Sequence, residues 1–317
     1  MLVATIAGNA GAEVIAAPDA IDHATSVREV VGKGSELWTL VGYIAAAIAI
    51  AVAVVLVKRR RTGSLVEPGV VPVARSAPFL AVGFFGLLFA QILGATIAAK
   101  LFGGATEEGG LRSGAIVMLG GYAIQLPVAA AIALSLPRLH ERTARALRTG
   151  VVAGVFAIIL IWPFVQIASV AAGMVQQVFT REPPPSLGHE TLSQLARGAA
   201  DPWAIVVIAC VVFLAPVIEE IGYRGALQGA IRSAGTKAWF AIAITSGVFV
   251  VMHIPAIPSA GLGAGILGLF VLALGLGALR ERTQSLIPCI VAHSLFNVVN
   301  LLLAGAFGSL IGTLPGL

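Results

Sequence analysis

Residues 203–230 read WAIVVIACVVFLAPVIEEIGYRGALQGA. From Trp203 to Ile218 the stretch carries no charge, and it then meets Glu219, Glu220 and Arg224 while staying apolar around them. A helix needs about 20 apolar residues, at about 1.5 Å each, to cross the hydrocarbon core of a bilayer. The stretch is therefore read as a membrane-spanning helix with ionisable groups inside it. The whole chain agrees: of 317 residues, 58% are hydrophobic and 11% charged, against about 25% charged in a typical soluble domain. The fold class that follows is all-α, a polytopic transmembrane helical bundle of about eight spans.

On the same criterion, spans are expected at 38–57, 77–99, 114–136, 150–178, 203–230, 237–256, 262–279 and 286–305. The basic residues fall between them in alternation. Lys58 to Arg61 with Arg75, then Arg138 to Arg148, then Arg232 with Lys237, then Arg280 with Arg282 occupy every second loop. The intervening loops mix Lys100, Arg112, Arg181 and Arg197 with Glu107, Glu108, Glu182, Glu190 and Asp201. Basic loops stay in the cytoplasm, so both termini are expected outside, in a cell (plasma) membrane protein whose surroundings are the lipid bilayer. The net charge of +5 is spread over these short clusters, so no nucleic-acid partner is expected. Cys210 and Cys289 both sit in apolar runs and read as buried free thiols.

The organisation reads as a polar N-terminal tail (1–37), an accessory transmembrane half (38–180), a polar Pro-rich loop (181–201), a catalytic transmembrane half (202–305) and a C-terminal tail (306–317). Met1 to Ala17 lacks a basic start and is interrupted by Gly8, Asn9, Gly11 and Glu13, so it is not read as a signal peptide. The loop holds Pro183, Pro184 and Pro185, and the polar chemistry lies after it.

Charge at mid-membrane is costly and is functional by default. Five residues qualify: Glu219, Glu220, Arg224, His253 and His293. Glu220 and Arg224 are four apart and can pair on one helix face. Glu219 points about 100° away and is left free to act as a general base. His293 and Asn297, again four apart, can donate to a developing oxyanion, with Asn300 one turn further. Phe249 lies one turn before His253 and can pack on its ring. Depth is the difficulty. Straight helices put Glu219 about 18 Å, His253 about 24 Å and His293 about 11 Å from the cytoplasmic end, and a tilt or a kink at Pro216 has to close the gap.

Blander readings exist for each part: a structural ion pair, a core histidine, and interhelical polar glue. As a set, the residues also fit an ion or proton pathway, or a non-catalytic membrane scaffold or immunity protein. A pathway requires a polar stripe through the membrane, whereas these residues cluster on three helices.

Glu-Glu-x-x-x-Arg from Glu219, Phe-x-x-x-His from Phe249 and His-x-x-x-Asn from His293 resemble the CPBP family. That family includes the CAAX prenyl endopeptidases of the Rce1 type and the bacterial Abi, or bacteriocin-processing, proteins. Tyr223-Arg224-Gly225 and the run from Arg282 to Leu286 are similar to it as well. The resemblance implies a CAAX-type intramembrane endopeptidase acting on a membrane-anchored protein or peptide. Glu219 would activate water, His253 would position it, and His293 and Asn297 would form the oxyanion hole. Glu220, Arg224 and Phe249 would support them. The family is often labelled as metalloproteases, which makes Glu219, His253 and His293 candidate zinc ligands. The spacing is not His-Glu-x-x-His, and a glutamate-activated water requires no metal, so the preferred mechanism has no cofactor while zinc stays open.

Overall fold

The computed structural model describes residues 76–102, 110–136, 144–181 and 201–312, together with Thr191 and Leu195. The expected first span, 38–57, the N-terminal tail and most of the 181–201 loop lie outside these residues. Among the described residues 7 helices are long and apolar enough to cross a membrane, and no strand occurs. They are α1 (Ala77–Phe102), α2 (Gly110–Ser135), α3 (Ala144–Thr180), α4 (Trp203–Ser233), α5 (Ala238–His253), α6 (Leu262–Thr283) and α7 (Ile287–Gly312). The chain is an integral membrane helical bundle.

Each of the seven remaining spans expected from the sequence has its helix. Most helices overrun by a few residues, α2 for one beginning at Gly110. α3 begins at Ala144, α6 reaches Thr283 and α7 reaches Gly312, where the apolar criterion stops at the flanking arginines or at residue 305. Charge does not end a helix: Arg280 and Arg282 lie in the last turn of α6, where cations favour the C-terminal dipole. α6 stops at Gln284, which takes a left-handed conformation (φ 55°) and sends its N–H back to Arg280 O.

α4 is not a uniform α-helix. Two π-helical segments, Cys210–Leu214 and Ile221–Leu227, flank the α-helical turn Ala215–Glu220 that carries both glutamates. The Ala215 N–H reaches Cys210 O, five residues back. Pro216 follows immediately and has no N–H to give.

α1 packs along α2, and α3 lies against α6 and α7. α1 and α2 approach so closely that a Cβ at Gly94 would collide with Gly120 O, the small-residue contact that brings membrane helices together. One core cluster joins Phe84 of α1, Ile132 of α2, Ile218 and Tyr223 of α4, Phe249 of α5 and Ala273 of α6. A second joins Ile158 and Val165 of α3, Leu272 and Leu276 of α6, and Cys289 and Ala292 of α7. Phe85, Phe89, Phe156 and Phe213 point outward, as lipid-facing side chains do. Gln176 of α3 holds the turn that follows α5: its Oε1 accepts from Gly263 N–H at 2.7 Å, and its Nε2 donates to Ser259 O at 3.1 Å and Ala260 O at 2.9 Å. His253, the last residue of α5, opens into that turn.

Candidate active site

The α-helical turn Ala215–Glu220 presents its two carboxylates in different environments. Glu220 is fully buried and Glu219 keeps 25% of its side-chain surface. Glu220 Oε1 accepts from Arg224 Nη1 at 2.9 Å, and the guanidinium is buried as well. Arg224 also donates through Nη2 to Ala273 O of α6 at 3.3 Å and lies 4.9 Å from the centre of the Phe249 ring. A charge buried in this way needs a partner and further hydrogen bonds to be tolerated, and both are present.

His293 of α7 brings Nδ1 to 2.9 Å from Glu220 Oε1. His253 of α5 brings Nδ1 to 2.6 Å from Phe249 O, and its ring stacks on Phe249 at 4.2 Å between centroids. A carbonyl oxygen, and a carboxylate already paired with arginine, can only accept. Each Nδ1 therefore carries a hydrogen, and the Nε2 of each ring is the atom left to face the site. Those two Nε2 atoms converge on one atom, Glu219 Oε2, at 3.7 Å from His253 and 3.9 Å from His293. The helix-rise depths predicted otherwise; they assumed straight α-helices along one axis, and the two π segments of α4 break that assumption.

Asn297 has another partner. Its Nδ2 donates to Val211 O in the first π segment at 2.8 Å, and one amide N–H is left for a second acceptor. Asn300 Nδ2 turns back to Phe296 O of its own helix. Cys289 sends its thiol to Leu276 O and Ser285 O, and both cysteines are free and buried.

The charge inventory drawn from the sequence is corrected at Glu281, which is 2% exposed within α6. Flanked by Arg280 and Arg282, it falls beyond the expected end of that span, so it reads as a loop charge. Its Oε1 accepts from Gln228 Nε2 at 3.0 Å and lies 3.4 Å from Arg232 Nε. Gln228 also donates to Gly277 O at 3.2 Å. The signal is present in the sequence as a four-residue period, Glu220, Arg224, Gln228 and Arg232 on α4, facing Ala273, Gly277 and Glu281 on α6. Tyr122 of α2 was also passed over. It packs on the core cluster that holds Ile218 and Tyr223.

Two imidazole nitrogens and a carboxylate are donor types that zinc accepts, but the spacing is wide. Ligand atoms around a tetrahedral zinc with bonds of about 2.0–2.1 Å stand about 3.3 Å apart, against 3.7 and 3.9 Å here. No group of three or more His, Cys, Asp and Glu among the described residues has a metal-holding arrangement. The same separations suit a water hydrogen-bonded between the three groups, oriented by two rings whose far nitrogens are fixed.

Residues 201–299 match the family model described as Rce1-like, Type II CAAX prenyl endopeptidase Rce1-like. No curated protein and no solved structure matches the chain.

Proposed function

We propose that this chain, whose residues 201–299 match the Rce1-like family model, is a membrane-embedded peptide hydrolase of that family and cleaves membrane-anchored proteins or peptides with a water activated by Glu219. The observation that carries the reading is the convergence of the two Nε2 atoms on Glu219 Oε2. A water held there gives one hydrogen to Glu219 and the other to His253 Nε2. Its oxygen lone pair is then aimed at an incoming carbonyl carbon.

Attack forms the C–O bond and moves one water proton to Glu219. The carbonyl oxygen becomes an oxyanion. The free N–H of Asn297 and the Nε2–H of a doubly protonated His293, still held by Glu220 through Nδ1, donate to it. As the C–N bond breaks, Glu219 returns its proton to the departing amine. Glu220 and Arg224 take no proton in this scheme; they hold His293. No metal is needed at any step. We place the protein in the plasma membrane with its basic loops in the cytoplasm, on the alternation of charge along the chain.

The test is cleavage of a panel of membrane-anchored peptides by the purified protein in lipid. Cleavage that is lost in Glu219→Gln and survives a strong chelator is expected. Cleavage retained in Glu219→Gln sinks the mechanism, and cleavage lost to chelator and restored by zinc assigns Glu219, His253 and His293 to a metal instead.

A further inference from the structure

The hydrogen bond from Asn297 to Val211 O has a cause in the backbone of α4. In an uninterrupted α-helix, Val211 O would accept from the Ala215 N–H, four residues ahead. That N–H is spent on Cys210 O in the π register. In the π register the next donor for Val211 O, five residues ahead, is residue 216, and residue 216 is proline. Neither helical partner is therefore available to Val211 O. In an α register the same proline would instead leave Val212 O without its partner, about 100° around the helix. The π segment thus decides which carbonyl is freed, and α7 packs on that segment. Asn297 Nδ2 fills the vacancy at 2.8 Å. An orphaned carbonyl inside a membrane helix must find a donor on a neighbouring helix, and here the donor stands one turn beyond His293 on the same face.

We propose that Pro216 is a positioning residue for the active site: by withholding an N–H, it reserves the Val211 carbonyl for Asn297 and so sets α7, with His293 and Asn297, against the glutamates of α4. Proline and asparagine act as one device. The proline is three residues before Glu219, so the freed carbonyl and the catalytic carboxylate are carried by one short stretch of α4 and cannot drift apart. The amide plane of Asn297 is fixed by the bond it makes, which also fixes where its second N–H points.

The inference is tested by a double-mutant cycle on the full chain in lipid, with Pro216→Ala, Asn297→Ala and the pair, read by thermal unfolding. Asn297→Ala alone is expected to lower Tm by about 3 °C, because Val211 O loses its donor. In the Pro216→Ala background the restored N–H takes that carbonyl, and the loss on adding Asn297→Ala is expected to vanish. An equal loss in both backgrounds overturns the proposal. Pro216→Ser restores the same N–H and repeats the cycle if the alanine variant does not assemble. This arm needs no substrate and stands whether or not the protease reading does.

The kinetic arm rests on that reading. With a peptide that the native protein cleaves, Pro216→Ala is expected to lower kcat about tenfold at unchanged KM and without a fall in Tm. A purely structural proline would give a lower Tm and an unchanged kcat in the folded protein, which also overturns the assignment.

Discussion

Glu220 and Glu281 are both carboxylates buried between helices, each beside an arginine and each facing a neighbouring helix. Glu220 is 0% and Glu281 2% exposed. Glu220 accepts from Arg224 and His293, and Glu281 accepts from Gln228 with Arg232 alongside. They differ in what stands next to them. Beside Glu220 is Glu219, partly open, with no arginine or lysine paired to it among the described residues and with two imidazoles turned toward it. Beside Glu281 are Arg280 and Arg282. A buried ion pair in a membrane thus marks an anchor. In the proposed mechanism the chemistry belongs to the neighbouring carboxylate that has been left without a cation.

That contrast can be broken at either end. The largest effect is expected from Glu219→Gln, which keeps shape and removes the base: cleavage should fall by about a thousandfold or more while Tm stays within a degree or so of the native value. A Tm drop of several degrees would mean that Glu219 is itself an anchor. Arg224→Met leaves Glu220 buried and unpaired and is expected to cost about 3–5 kcal/mol of stability, with cleavage lost because His293 loses its fixed partner. Glu281→Gln keeps the acceptor for Gln228 and strands only Arg232; a loss of about 1–2 kcal/mol is expected, with kcat of the folded protein nearly native. A kcat deficit as deep as that of Glu219→Gln would make the two ends of the ladder equivalent and erase the distinction. Phe249→Leu removes the ring under His253 and should cost about 1 kcal/mol and a few-fold in kcat, seen as a change in rate with KM held.

The sequence was read correctly where one residue type at one spacing has one physical meaning. Apolar runs of sufficient length gave seven helices among the described residues, and the four-residue step from Glu220 to Arg224 gave their ion pair. The reading fell short where the meaning depends on a partner that a sequence does not name. Asn297 donates to a backbone carbonyl, and every residue has one of those, so nothing in its side-chain neighbours pointed to Val211. The π register has no hydrophobic period of its own over so few residues; Pro216 hinted at a break but not at which carbonyl would be freed. Glu281 is not legible because a run of charges ordinarily ends a span, whereas a carboxylate that meets Gln228 and Arg232 of the neighbouring helix stays buried in the last turn of α6.

Gln176 gives the bundle a further property. Its one amide makes three bonds to the turn between His253 and α6, and it does so from the far side of the 181–201 stretch. A recombinant joined in that stretch, pairing residues 1–180 of this chain with the following helices of a relative, would inherit the turn from one parent and its clasp from the other. The smallest exchangeable piece that keeps His253 under its own control therefore begins before residue 176, and the reciprocal exchange at the Pro183–Pro185 segment, a relative's first half joined to the last helices of this chain, should yield proteins that insert but cleave poorly unless the relative supplies its own amide at the position of Gln176.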